Sequence, residues 1–289
     1  MKTKRVSVFT VLNYVFFVLL SIAMLYPFWY VLMFALSDPD AISFNDYFLL
    51  PSGKPTLSTL ISMVNQPMIY IALKNTVFVT VIGTLLALLL TSITAYPLSV
   101  PSLMGKDVIF SIMLFTMIFS GGMIPTYLVV RSLGLVDSLW ALIILPSISV
   151  FNVMIFVKFF KGIPQSLIES AKIDGYNDIY IFWKIVLPLS RAVLAAIGLF
   201  CAVGLWNTYV AGVIYINSNK KRVLQVVLQS ILQGNKGDLK VQKGEMASPL
   251  TPENIQMSII VITLVPILLV YPFLQKHFVK GVMLGSIKE

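Results

Sequence analysis

Long apolar runs separated by short polar punctuation dominate this chain. Six such runs stand near residues 10–36, 69–96, 108–130, 138–160, 191–216 and 256–276. An α-helix needs about 20 apolar residues to cross a bilayer, and every run meets that length. Charge, proline or glycine bounds each one. Between runs the backbone has to leave the hydrocarbon or line a cavity, because unpaired peptide groups are costly in lipid. The pattern predicts an all-α integral membrane protein with six transmembrane helices.

The first run begins behind Lys2, Lys4 and Arg5, as a signal peptide would. It extends from Val6 to Leu36, well beyond the roughly 7–15 residues of a secretory apolar core, and no small-x-small cleavage site follows. It reads as a retained first span. The stretch 37–68 is punctuated by Asp38, Pro39, Asp40, Pro51, Gly53, Pro55 and Pro67. It reads as an external loop with a short surface helix around Leu57–Val64. Pro125, Pro146 and Pro266 fall inside runs, where they predict kinks.

Composition agrees with lipid as the solvent. Hydrophobic residues make up 58% of the chain and charged residues 11%, against about a quarter charged in soluble domains. The net charge of +9 does not point to nucleic acid, since no basic stripe with interleaved aromatics lies outside the apolar runs. Basic excess in a membrane protein gathers on the cytoplasmic side. Lys106, Lys161, Lys172, Lys184, Lys276, Lys280 and Lys288, with the N-terminal cations, share one side of a six-span arrangement. That side is expected to be cytoplasmic, with both termini. Lys220, Lys221, Arg222, Lys236, Lys240 and Lys243 run against the rule, because 217–255 then lies outside; longer loops obey it less strictly.

Charge is nearly absent from the middle of the runs. Carriers driven by proton or ion gradients use intramembrane carboxylates, and none stands here. The energy source is expected elsewhere. One cysteine, Cys201, and one histidine, His277, cannot make an intrachain disulfide or a structural zinc site. No catalytic cluster or metal site is expected.

Residues 161–190 carry the strongest motif. Pro164 can open a helix, because its fixed φ suits the first turn. Leu167, Ile168 and Ala171 recur at helical spacing, and Asp174-Gly175 is a turn signal that ends it. A second short helix follows to Leu187-Pro188. The prediction is a compact cytoplasmic helical hairpin with an apolar stripe, Glu169 exposed beside it, and φ > 0 at Gly175.

Here the chain resembles a family. Glu169-x-Ala171-x-x-Asp174-Gly175, then Phe182 and Leu187-Pro188-Leu189, is similar to the EAA loop of permease subunits of bacterial ABC importers. Ser170 and Tyr176 depart from the alanines common there, and Arg191-Ala192 stands where a further proline is frequent. Leu73-Lys74-Asn75-Thr76, Phe119-Ser120-Gly121-Gly122-Met123-Ile124-Pro125 and Trp206-Asn207 resemble the carbohydrate-uptake branch. They look like the maltose-type second permease, and more closely like permeases for oligosaccharides and polysaccharide fragments. The resemblance implies one transmembrane permease domain over 1–289, with its core at about 69–280. It implies a homologous second permease, two ABC ATPase subunits, an extracellular solute-binding protein and a carbohydrate substrate. ATP and Mg would sit on the ATPases, with no cofactor on this chain. Glu169, Ala171, Asp174 and Gly175 would couple to the ATPase, the tail Gly281–Glu289 would point toward it, and the loop 217–255 would reach the binding protein.

Candidate contacts follow from residue chemistry. Trp206, Asn207 and Tyr209 can line a sugar path, as aromatic faces stack on sugar C–H surfaces and amides bond hydroxyls. Packing between spans would use the same residues. Asn75 and Asn152 carry the same two readings. Gln233, Gly234 and Asn235 suit an adaptable loop that contacts the binding protein. Ser120-Gly121-Gly122 lacks the frame of a phosphate loop and predicts close helix packing. Three alternatives remain at this level: an ABC permease for peptides or amino acids, a secondary carrier, and a membrane enzyme.

Overall fold

The computed structural model describes residues 8–38, 41–42, 50–234 and 252–285. Among them every regular element is helical. The chain runs α1 (Val8–Ala35), α2 (Ser58–Asn65), α3 (Pro67–Ser99), α4 (Lys106–Ile118), α5 (Met123–Ser132), α6 (Leu139–Ile144) and α7 (Val150–Lys161). It continues with α8 (Gln165–Ile173), α9 (Asp178–Ile181), a π turn (Phe182–Val186), α10 (Leu187–Leu189) and α11 (Arg191–Trp206). Then come α12 (Val210–Tyr215), a 3-10 turn (Asn219–Lys221), α13 (Leu224–Leu232) and α14 (Pro252–Gly285).

Among the described residues, three helices are long and apolar enough to cross a membrane alone: Val8–Ala35, Pro67–Ser99 and, within α14, Pro252–Val270. Helix α1 exposes apolar side chains all round, from Val8 to Leu32, as a lipid-facing span does. The surface helix expected near Leu57–Val64 is α2.

The other three apolar runs are broken. Helices α4 and α5 meet at 112°. The corner is Phe119-Ser120-Gly121-Gly122, where Gly122 has φ +83°, a conformation that a side chain resists. Nothing of this chain lies within 4 Å of a Cβ placed on Gly122, so Gly122 turns the chain and packs against no other helix of it. The kink expected at Pro125 is displaced to this corner, since Pro125 lies in the first turn of α5, where its missing N–H costs nothing. The run 138–160 splits at residues 145–149, around Pro146, into α6 and α7. The run 191–216 splits at Asn207–Tyr209 into α11 and α12.

Contacts divide the chain into two compact units, Met1–Ile69 with Leu228–Val265, and Tyr70–Val227 with Pro266–Glu289. In the first, Met33 and Phe34 pack with Tyr30, Ile42 and Met257. Ser37 Oγ donates to the Met33 carbonyl at 2.8 Å and accepts from the Ser52 amide at 2.9 Å. Among the described residues the second unit shows two apolar clusters. One joins Val79, Val130, Ala141, Leu142, Ile143, Leu205, Tyr215 and Ile216. The other joins Ala95, Tyr96, Phe156, Phe160, Ile181, Phe182 and Ile197.

Helix breaks inside an apolar protein leave peptide groups to be paired. Asn75 Nδ2 donates to the carbonyls of Lys220 and Arg222, each at 3.0 Å. Thr76 Oγ1 accepts from the Leu224 amide at 2.7 Å, satisfying the start of α13, and donates to the Ala72 carbonyl at 2.9 Å. Asp137 has φ 59°, and its Oδ1 accepts from the amides of Asn217 at 3.1 Å and Ser218 at 2.9 Å. Lys221 Nζ adds an ion pair to Oδ2 at 3.3 Å. The Ser218 amide does most to hold the Asp137 carboxyl below its ordinary range, and Lys221 and the Asn217 amide act in the same direction. The segment 216–224 is thereby tied to the first turns of α3 and to the α5–α6 loop.

Thr76→Val should leave the Leu224 amide buried without a partner, at a cost of about 1–3 kcal/mol. The apparent melting temperature in detergent should fall, and Thr76→Ser should restore it. Equal melting of Thr76→Val and wild type would show that Thr76 does not cap α13.

Candidate functional site

The segment 165–189 is the helical hairpin expected from its sequence pattern. Helix α8 ends in a Schellman turn. The Tyr176 amide donates to the Ala171 carbonyl and the Gly175 amide to the Lys172 carbonyl, both at 3.0 Å. Gly175 sits at φ +83° with open space around it, so the constraint there is the backbone angle and not crowding. Asn177 starts the second arm, its Oδ1 accepting from the Tyr180 amide at 2.8 Å, as N-cap residues do. An exposed ion pair, Lys172–Asp178 at 3.0 Å, and a parallel ring stack, Tyr176 on Tyr180 at 4.2 Å, brace the turn.

The second arm is continuous from Asp178 to Leu189 and changes pitch on the way. Pro188 has no N–H to give to the previous turn, and its ring clashes with the carbonyl four residues back. The chain answers with the π turn Phe182–Val186, in which the Leu187 amide reaches the Phe182 carbonyl. Ser190 closes the arm, its Oγ donating to the Val186 carbonyl at 2.7 Å. Beyond it α11 leaves at 79° to the arm.

Phe182 fixes the hairpin to the helices beneath. Its ring lies 5.3 Å from that of Tyr96 in the last turns of α3, and Tyr96 lies 6.4 Å from Phe160 in α7. Ile181 and Val186 are buried on either side of it. Next to this anchor a cavity of about 740 Å³ opens, lined by Tyr96, Val100, Leu103, Asp178 and Trp183 among others.

The four residues expected to couple are on this hairpin. Glu169, Asp174 and Gly175 are exposed, whereas Ala171 is buried. The apolar stripe needs correction. Ala171 and Ile168 face the protein's own cluster around Phe160 and Phe182, because α8 folds onto α7. The apolar groups turned outward are Leu167, Ile173, Tyr176, Ile179 and Tyr180, with Ile173 86% exposed.

The candidate path residues do not form one polar site. Trp206 is buried and lines a small apolar hollow of about 260 Å³ with Val77, Thr80, Leu199 and Ile267. Asn207 is exposed at the break after α11. Its Nδ2 donates to the Val203 carbonyl at 2.9 Å, and its Oδ1 accepts from Gln225 Nε2 at 2.9 Å. Tyr209 stands exposed two residues on. Asn75 binds backbone carbonyls, as above, and Asn152 Nδ2 reaches Cys201 Sγ at 3.6 Å. Gln233 and Gly234 are exposed just after α13, and Asn235 lies outside the described residues, as do residues 286–289 of the tail.

Residues 69–284 match the family described as "Binding-protein-dependent transport system inner membrane component". The chain belongs to that family. It is a multi-pass transporter subunit of the cytoplasmic membrane, as the EAA-like hairpin indicated. A "Polygalacturonan/rhamnogalacturonan transport system permease protein" of Bacillus subtilis is 44% identical, covering 97% of this chain and 98% of its own. Protein LplC of the same organism is 41% identical, over 99% and 97%. A chain from the crystal structure of a bacterial ABC transporter "involved in the import of the acidic polysaccharide alginate" is 31% identical. It superposes with a TM-score of 0.87 over 96% of this chain and 99% of that one.

The sequence motifs conceal two roles that the permease structure assigns. Asn75 and Thr76 hold the segment 216–224, and Asp137 clasps it from the α5–α6 loop. Only the run Leu73-Lys74-Asn75-Thr76 signalled this, as paired amide and hydroxyl side chains inside an apolar run.

Phe182→Ala should remove the anchor, at a cost of about 3–5 kcal/mol for a buried ring. Trypsin should then cut after Lys172 and Lys184 several-fold faster than in wild type. Unchanged cleavage would mean that the hairpin is held by other contacts.

Proposed function

We propose that this permease subunit works in an ABC importer for oligosaccharides and moves its cargo inward by alternating access. The hairpin carries the reading. It is a short helical lever with apolar groups turned away from its own core, anchored through Phe182 to α3 and α7. Leu167, Ile173 and Ile179 have no lipid to face at the end of a cytoplasmic loop, so a groove on an ATPase subunit is their natural burial site. Full burial of a leucine or isoleucine is worth about 1.5–3 kcal/mol; the net gain is smaller because association itself has a cost. Glu169 and Asp174 would flank that contact, and Gly175 would hold the turn that presents it.

The arrangement has six crossings: α1, α3, α4 with α5, α6 with α7, α11 with α12, and α14. Both termini and the hairpin are cytoplasmic, and residues 217–255 are external. The two compact units act as one permease domain beside a homologous permease. ATP and Mg belong to two ATPase subunits, and an extracellular binding protein delivers the sugar, with Gln233, Gly234 and Asn235 near its docking surface. Asn207 and Tyr209 border the sugar path, and Trp206 supports them from the apolar side. The relatives named for polygalacturonan and for alginate support an oligosaccharide cargo.

Asn219→Cys and Ser166→Cys, each in a Cys201→Ser background, should be labelled from opposite faces by an impermeant thiol reagent, Asn219→Cys from outside. Labelling of both from one face would refute the topology. Gly175→Val and Glu169→Lys should each abolish uptake and substrate-stimulated ATP hydrolysis in vesicles while insertion survives, because neither residue lies in a span. Wild-type co-purification of the ATPase, hydrolysis and uptake in both variants would remove the hairpin as the coupling element.

A further inference from the structure

Under this topology Lys220-Lys221-Arg222 lies outside the membrane, where basic residues oppose the positive-inside rule. The triplet stands on a built turn. Its carbonyls at Lys220 and Arg222 are held by Asn75, and Thr76 caps the helix that follows. Asp137 binds the amides just before it and engages the Lys221 ammonium. Asp137 thus neutralises one cation and fixes the turn. Lys220 is exposed, as is Lys74, the neighbour of Asn75 in α3. The other carboxylates between residues 70 and 227 are Asp107, at the start of α4, and Glu169, Asp174 and Asp178 on the hairpin.

The hairpin is at the far end of α3. Asn75 and Tyr96 are separated by about 30 Å along a helix that rises 1.5 Å per residue, which is the thickness of the hydrocarbon core. At the hairpin end the carboxylates stand among Lys161, Lys172 and Lys184, whereas at the Lys220 end Asp137 is the one carboxylate among the cations. The basic turn also adjoins the break after α11. Gln225, three residues beyond Arg222, donates to Asn207, and Tyr209 stands two residues further on.

The geometry points to this turn as the place where the permease receives the carboxylates of an anionic, uronate-type oligosaccharide. The assignment rests on the permease reading above. A lysine ammonium is a point charge that accepts a carboxylate from many directions. That suits a cargo that passes and must be released. Exposed charge at a mouth also raises the local concentration of an oppositely charged ligand, in a manner that salt screens. The exposed phenol of Tyr209 lies next to the turn and suits the sugar hydroxyls. Alginate is an acidic polysaccharide by the description of its importer, and polygalacturonan is a polymer of a sugar acid. An acidic face of the binding protein or an anionic lipid headgroup would be drawn to the same charge but would not distinguish one sugar from another.

The test uses the assembled transporter in vesicles with its binding protein, and compares uptake of trigalacturonate with that of its neutral methyl ester. In Lys74→Gln/Lys220→Gln the acid-to-ester uptake ratio should fall about five- to tenfold relative to wild type at low ionic strength, the size expected for two exposed charge contacts. Comparison with wild type cancels the binding protein's own preference. Lys74→Arg/Lys220→Arg should keep the wild-type ratio, and added salt should bring the wild-type ratio toward that of the double glutamine variant. An unchanged ratio, or an equal loss for both sugars, overturns the assignment; the equal loss would indicate contact with protein or lipid. Wild-type import of neutral oligosaccharides without the acid overturns this inference alone. Import of no oligosaccharide at all overturns the permease reading and the inference together.

Discussion

A peptide group in hydrocarbon has no water to bind, so a chain of this composition has to pair its backbone from within. Unbroken helices do this at no further cost. This permease nevertheless breaks its helices at several points, and most breaks are answered by a short polar side chain. Asn75 and Thr76 serve the segment 216–224, Asn207 folds its own amide back onto the Val203 carbonyl, and Ser190 serves the corner before α11. Several of the scattered asparagines, threonines and serines of the apolar runs thus serve the chain's own breaks. A residue that looks available for a sugar hydroxyl has first to be tested against this demand. Asn75 has both its N–H donors committed to backbone carbonyls in this way.

Helix α3 joins the two ends of the second unit. Its first turns hold the segment 216–224 through Asn75 and Thr76, and its last turns hold the hairpin through Tyr96 and Phe182. In the proposed cycle, movement of the hairpin would reach the other end of α3 through one aromatic contact and one helix. The π turn at Phe182–Val186 lies on that route, as a place where the helical pitch is already locally relaxed.

The apolar runs were legible because hydrophobic length is a one-dimensional signal. Helices α1, α3 and α14 follow their runs closely. The runs 138–160 and 191–216 misled because a buried break is also apolar. Pro146 marked the first break. The second, at Asn207–Tyr209, had only a single amide to mark it, and its partner Gln225 is distant in sequence. The hairpin was legible through local chemistry: Pro164 before α8, Asp174-Gly175 after it. Which face of α8 turns outward was not legible. Leu167, Ile168 and Ala171 have the same local pattern, and only the position of Phe160 and Phe182 decides that Ile168 and Ala171 face home. The Asp137 clasp was hidden for the same reason, since it joins loops about eighty residues apart.

Charge placement ties the energetics to the transport cycle. Helices α1, α3 and α11 contain no Asp or Glu, so no proton or ion can be carried through them on a titrating carboxylate. What charge the second unit has is sorted to its ends. The mixed charges of the hairpin and the largely cationic Lys220 turn are separated by about the thickness of the hydrocarbon core. Neither group can do work across the membrane by moving through it, because charge at mid-span costs about 2.5–3.5 kcal/mol even on the mildest scales. Each can act only at its own surface, on whatever docks there. In the proposed cycle the apolar middle changes its packing when the hairpin end is moved. Under the proposed function the energy for that change would arrive as displacement of the hairpin, where Leu167, Ile173 and Ile179 are exposed apolar surface.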